Sequence, residues 1–229
     1  GHFHGWHDAV AFGVDSHFDG SPTPGVISSV ADGVVLVPPN DPDALEAALS
    51  GEDIAAAIIE PIGSNSGKLP VSPQFLQTLR ALTAKYGTLL IFDEVVTGFR
   101  LSPGGAQARF GVTPDLTTLA KIVAGGLPGG ALCGRKDVLD WLDFEVSEEL
   151  GREKVRHQGT FNANPVSAAA GIKTLELVRD TGACERADEA AQTLRRAMNE
   201  ALAEAGVPWS VYGDYSVLHF FTNPDGAPI

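Results

Sequence analysis

IAAAIIEP (residues 54–61) and TLLIFDEV (residues 88–95) are two short apolar runs that each end on carboxylates, and between them lies SPQFLQTLRALTAKYG (residues 72–87). A continuous run of aliphatic residues closed by Glu and Pro is expected of a strand covered on both faces. The middle segment has helical spacing, with Ser72 as N-cap, Pro73 in the first turn and Gly87 as the stop. Strand, helix and strand within about forty residues can pair in parallel through a crossover, so the two runs predict a βαβ unit. The fold class expected is α/β, a mostly parallel sheet flanked by helices.

Upstream, residues 10–39 are rich in Gly, Pro, Ser and Asp. They read as a long loop with one short strand, GVVLV (residues 33–37). DPDALEAALS then predicts a helix with Asp41 as N-cap, Pro42 at its first position, and Leu45 and Leu49 on one face. Downstream, LTTLAKI and GGALCG can supply further strands. PVSAAAGIKTLELVRDTG and CERADEAAQTLRRAMNEALAEAG read as helices, and WSVYGDYSVLHFFT as two strands around a Gly-Asp turn.

Composition narrows the function. The 229 residues carry 16 Lys plus Arg against 29 Asp plus Glu, a formal charge of −13 and a pI near 4.7. That balance disfavours a phosphate-backbone partner, which needs clustered cations, and leaves small molecules as the expected ligands. Cys133 and Cys184 stand apart without metal or disulfide spacing, as expected in a reducing compartment. No apolar run approaches the ~20 residues of a membrane span, so a cytoplasmic protein is expected. The chain opens without Met and ends just after an apolar strand, so both ends are expected to be cut from something longer.

The chemistry is expected at the carboxyl ends of the parallel strands, where ligands of open α/β sheets bind. Glu60 and Asp93 fall there. A carboxylate closing an apolar strand needs a partner, either a structural one or a cationic ring nitrogen. The third candidate is Lys121 in LAKIVAGGLPGG, which is flanked on both sides by apolar residues, whereas Lys68 follows a flexible SNSG loop and the other four lysines lie in charged clusters or on polar helix faces. Its plainer reading is a packed stem with a snorkelling head. Its chemical reading is a desolvated amine ready to attack a carbonyl. A strand-end acid with such a lysine matches pyridoxal phosphate chemistry.

EPIGSNSG, LLIFDEVVTGFR, GGAQARFGVTPDLTTLAKIVAGGLPGGALCGRKDV and HQGTFNANPVSAAAG together resemble the class III, fold-type I pyridoxal-phosphate aminotransferases, near the glutamate-1-semialdehyde 2,1-aminomutase branch. The resemblance implies a transaminase that uses pyridoxal 5'-phosphate to exchange an amino group between an amine or amino acid and a carbonyl acceptor. It implies that Lys121 is the Schiff-base lysine and that Asp93 holds the ring nitrogen protonated. Phe3 and His4 fall on an aromatic-His-Gly motif, with Phe3 stacking on one ring face and Val95 on the other. Asn65 would bond the ring hydroxyl. Gly159 and Thr160 would bind the cofactor phosphate of the neighbouring subunit in a homodimer. Residues 1–180 would be the cofactor-binding large domain and residues 181–229 the start of a small one. Relatives acting on ornithine or γ-aminobutyrate carry Glu where this chain has Asn65 and Gln where it has Val96, which tilts the resemblance towards the aminomutase side. Family members also carry further segments at both ends, among them a phosphate-cradling turn.

A reading from another class rests on His2, His4, His7 and Asp8, an HxHxxHD cluster resembling the metal ligands of hydrolases. HxH on an extended strand turns both rings to one face, but Gly5 and Trp6 suggest a bend, and no metal site is expected. A third reading is an inactive fragment that keeps the sheet.

Overall fold

The two apolar runs pair in parallel, and the rest of the sheet is built outward from them. The computed structural model describes residues 2–51 and 53–223. Its strands are β1 (Ala56–Ile59), β2 (Leu69–Pro70), β3 (Leu89–Asp93), β4 (Leu116–Ala120), β5 (Gly130–Gly134), β6 (Ser210–Tyr212) and β7 (His219–Phe221). Its helices are α1 (Asp8–Ala11), α2 (Pro42–Leu49), α3 (Ser64–Gly67), α4 (Pro73–Lys85), α5 (Gly105–Phe110), α6 (Lys136–Leu139), α7 (Phe144–Glu149), α8 (Pro165–Asp180) and α9 (Ala183–Glu204). Residues 224–229, the tail of the expected second domain, lie outside the described residues.

The main sheet has the order β1-β3-β4-β5. β3 runs parallel to β1, with Ile59 opposite Phe92, and parallel to β4, with Asp93 opposite Thr118. β5 returns antiparallel along β4, from Ala120 opposite Gly130 to Leu116 opposite Gly134. The carboxyl ends of β1, β3 and β4 therefore share one rim. The β6–β7 pair is antiparallel, as its Gly-Asp turn implied. Asn199 of α9 ties it down: its side-chain amide donates to the Val211 carbonyl and accepts the Val211 N–H, both at 2.8 Å.

The helices start where their caps predict. Asp41 Oδ1 accepts the Ala44 N–H at 2.9 Å, and Ser72 Oγ accepts the Phe75 N–H at 3.1 Å. One face of α2 and one of α4 press Leu45, Leu49, Phe75, Leu76 and Leu79 onto Leu90 and Phe92 of β3. Leu76, Leu90 and Phe92 are fully buried, each stabilising by about 1.5–3 kcal/mol relative to exposure.

At the amino rim of the sheet Asp115 is a tie. Its Oδ2 accepts the Leu90 N–H at 2.7 Å and Arg80 Nη1 at 2.8 Å, and its Oδ1 accepts Arg135 Nη1 at 3.0 Å. One buried carboxylate thus joins α4, β3 and the exit of β5 to the start of β4. Burial pushes its pKa up, but the Leu90 amide and the two guanidiniums outweigh it, and the net shift is downward.

Two expectations fail. β1 is not covered on both faces: it is the sheet's edge strand, and Ile58 is 37% exposed. Residues 34–37 form no strand. With β1, Glu60 and the two N-terminal histidines they line a cavity of about 580 Å³. No helix is long and apolar enough to cross a membrane among the described residues.

Candidate active site

Three sequence-predicted residues meet at the carboxyl rim: Glu60 directly after β1, Asp93 closing β3, and Lys121 directly after β4. Asp93 lies opposite Thr118, three residues before Lys121. At ~3.3 Å per residue and ~4.8 Å between strands, the Cα atoms of Asp93 and Lys121 are about 11 Å apart, so their side chains can address opposite ends of one small planar group.

Asp93 is buried yet fully engaged. Its Oδ2 lies 2.7 Å from His4 Nδ1, and its Oδ1 accepts the Val95 N–H at 3.0 Å. Burial raises its pKa, and the His4 hydrogen bond, the Val95 amide and the imidazoles of His4 and His2 more than reverse that, so the carboxyl sits below its ordinary value. It is therefore held ionised, as a carboxylate facing a cation must be. The partner that the strand-end acid required is His4.

His2 and His4 alternate along an extended segment, so both rings turn to the same side. Their centroids are 4.8 Å apart. His2 Nδ1 lies 2.8 Å from Glu60 Oε2, and the Asn65 N–H also points at this nitrogen at 3.0 Å. The HxHxxHD cluster does not converge. His7 stacks on Trp6 at 4.7 Å and is exposed, and Asp8 opens α1 in solvent.

Lys121 corrects the expectation of a dry amine. The residue is exposed, and its side chain makes no hydrogen bond or ion pair among the described residues. Its apolar sequence neighbours do not bury it: the turn Lys121–Ala124 packs Val123 and Ala124 onto α8, while Lys121, at φ 52°, is exposed at the rim. The glycines around it serve that packing. A Cβ at Gly171 would overlap the Val123 carbonyl, and one at Gly125, which has φ 63°, would overlap the Ala170 carbonyl and come within 2.8 Å of Thr174 Oγ1.

The remaining candidates are spread more widely. Phe3 is 60% exposed, so it is no core residue. Val95 is half-buried beside Asp93, and Asn65 is exposed beside His2 at φ 52°. Gly159 and Thr160 lie on an exposed stretch before α8, where Thr160 makes no side-chain hydrogen bond among the described residues. Sequence reasoning missed Glu94. It is 1% exposed, takes Thr97 Oγ1 at 3.0 Å and the Ala106 N–H at 2.5 Å, and a Cβ at Gly105 would strike its carboxylate. It shapes the loop that carries Val95, and its only sequence signal was the second acid of DEVVTG.

Residues 40–214 match the aminotransferase class-III family. The chain belongs to that family. Among its class III relatives, glutamate-1-semialdehyde 2,1-aminomutase of Thermomicrobium roseum is 44% identical over 201 residues, covering 87% of this chain and 45% of that enzyme. An omega-transaminase from Sphaerobacter thermophilus has the same fold, with a TM-score of 0.83 and 37% identity over 98% of this chain and 52% of its own. A transaminase solved with PLP bound superposes with a TM-score of 0.84 at 34% identity, covering 97% of this chain and 52% of its own. The chain therefore spans about half the length of the class III proteins it matches. These folds bear out the mostly parallel sheet flanked by helices.

Proposed function

We propose that this chain carries the chemical centre of a pyridoxal-phosphate-dependent transaminase, which moves an amino group between an amine or amino acid and a carbonyl acceptor. The observation that carries the reading is the pair Asp93 and Lys121 at the ends of neighbouring parallel strands. The donor set fits pyridoxal phosphate, because an ionised carboxylate suits its ring nitrogen and an accessible primary amine suits its aldehyde. When bound, that group supplies an electron sink for a substrate carbon that has lost a proton.

The chain's own residues do the rest. Asp93, kept ionised by Val95 and His4, holds a proton on the ring nitrogen. Lys121 Nζ takes the proton from the substrate carbon and returns it. Phe3 and Val95 cover the two ring faces, His4 orients Asp93, and Asn65 meets the ring hydroxyl. Gly159 and Thr160 reach the phosphate held by a second subunit of a homodimer, which also shields the exposed Lys121 from water. Residues 1–180 form the cofactor-binding unit and residues 181–229 begin the next. Two free cysteines support a cytoplasmic setting. Aminomutase action is the second reading, favoured by the name of the Thermomicrobium relative.

The test is to add pyridoxal phosphate to the purified chain and follow the yellow chromophore of its lysine adduct. Lys121→Ala is expected to lose the chromophore, and Asp93→Asn to keep weak binding while losing most turnover. A chromophore that persists unchanged in Lys121→Ala removes the assignment.

A further inference from the structure

The transaminase reading uses Asp93 and, through it, His4. It leaves His2 and Glu60 without a task, although both are mostly buried and drawn into the same cluster. Side-chain exposure is 14% for His2, 12% for His4, 5% for Asp93 and 1% for Glu60. His4 Nδ1 lies 2.7 Å and His2 Nε2 3.9 Å from the same oxygen, Asp93 Oδ2. One ligand atom from each of the three residues falls within 4.8 Å of the others.

We propose that His2, His4 and Asp93 form a binding site for a divalent transition-metal ion of the zinc type, with Glu60 orienting His2 and water completing the shell. A tetrahedral ion with bonds of about 2.0–2.2 Å sets its ligand atoms ~3.4 Å apart. The two separations found, 2.7 and 3.9 Å, straddle that value. An entering ion moves His4 out by about 0.7 Å and His2 in by about 0.5 Å, within the reach of small side-chain rotations. His4 coordinates through Nδ1 when that nitrogen is the unprotonated one of the ring and Nε2 carries the N–H.

An outer-shell acceptor is also at hand: His2 Nδ1, which the Asn65 N–H approaches at 3.0 Å, would carry the ring proton towards Glu60 once an ion sits on Nε2. Metal-bound imidazoles hand their second N–H to a carboxylate or carbonyl, which fixes tautomer and orientation. Glu60 Oε2 sits 2.8 Å from His2 Nδ1, on the side of the ring away from the ligating Nε2. Two imidazoles with one carboxylate suit zinc, nickel or cobalt rather than magnesium or calcium, which take six or more oxygens. The grouping departs from the HxHxxHD pattern: it takes the first two histidines, drops His7 and Asp8, and adds an acid 89 residues away.

The ion would sit on the carboxylate that the proposed function gives to the cofactor ring, so metal and pyridoxal phosphate exclude one another. That exclusion rests on the proposed function, whereas the ligand set does not. The test is equilibrium dialysis of the whole chain, stripped of metal and cofactor, against zinc chloride, with bound zinc counted per chain. One zinc is expected. His2→Ala and His2→Gln are expected to weaken it at least tenfold, and Glu60→Gln by about 10- to 100-fold, while His7→Ala and Lys121→Ala leave it unchanged. Circular dichroism checks that each variant is folded. With zinc at ten times its own Kd, the apparent Kd for pyridoxal phosphate should rise about elevenfold. Zinc binding that is absent in the wild type, or equal in both His2 variants, overturns the inference and leaves the transaminase reading standing. A bound zinc with no yellow adduct under any condition supports the site and removes the transaminase reading.

Discussion

Replacing Asp115 by Ala should cost about 3 kcal/mol, and the sum can be taken from its three contacts. The Leu90 N–H, 2.7 Å from Oδ2, is buried inside the sheet and would lose its acceptor, a loss of ~1–3 kcal/mol. Arg80 and Arg135 would also lose a partner, but their side chains are 25% and 51% exposed and can rehydrate, which limits each to ~0.5–1 kcal/mol. For a chain of this length that total lowers the melting temperature by roughly 6–12 °C. Asp115→Asn keeps an acceptor for Leu90 and should lose only about 1 kcal/mol. The assay is thermal unfolding of the three proteins by circular dichroism across pH. Because the folded-state pKa of Asp115 is depressed, its contribution is present above the unfolded value of ~3.9 and is lost as pH falls through the folded value. The gap between wild type and Asp115→Ala should therefore be widest near neutrality and close in acid. If Asp115→Ala and Asp115→Asn melt together, the buried amide is not what the carboxylate serves, and the reasoning fails.

His4→Ala should raise the pKa of Asp93, since burial then acts with one fewer compensating contact. The stability that ionised Asp93 contributes would then be lost at higher pH than in the wild type, and a carboxyl titration unmoved by the variant would refute this. Gly171→Ala sets a helix-propensity gain of ~1 kcal/mol against overpacking of ~1–3 kcal/mol on the Val123 carbonyl. Net destabilisation in urea is expected, and a stabilised variant would show that the turn yields freely. Glu94→Ala strips the acceptor from the Ala106 N–H and Thr97 and should cost about 2–4 kcal/mol, read as a drop in the urea midpoint at constant slope.

The elements legible in the sequence are those whose signals are local. Ser72, Pro73 and Gly87 bracket α4 because capping depends on residues within one turn, and the apolar run ending at Asp93 gives β3 because its burial is continuous. What failed depends on partners far along the chain. The alanines and isoleucines of β1 read the same for an edge strand as for an inner one, and only the sheet order decides. VVLV has strand composition, but composition cannot supply a neighbour. Lys121 sits among apolar letters, yet at a left-handed φ of 52° it is exposed, and no pattern of residue types encodes that torsion. The contact from His4 to Asp93 spans 89 residues. Alternation in HxH fixes that two rings face one way, not what they face.

The carboxylate clamp at Asp115 and the carboxylate of Asp93 in the proposed site occupy opposite ends of the same short strand pair, about 11 Å apart. Damage at one end should register as lost heat resistance, and damage at the other as lost ligand affinity. In a library of random variants the two phenotypes should map to separate ends of β3 and β4. Selection could then rework the ligand end for a new substrate while the opposite end goes on keeping the protein folded.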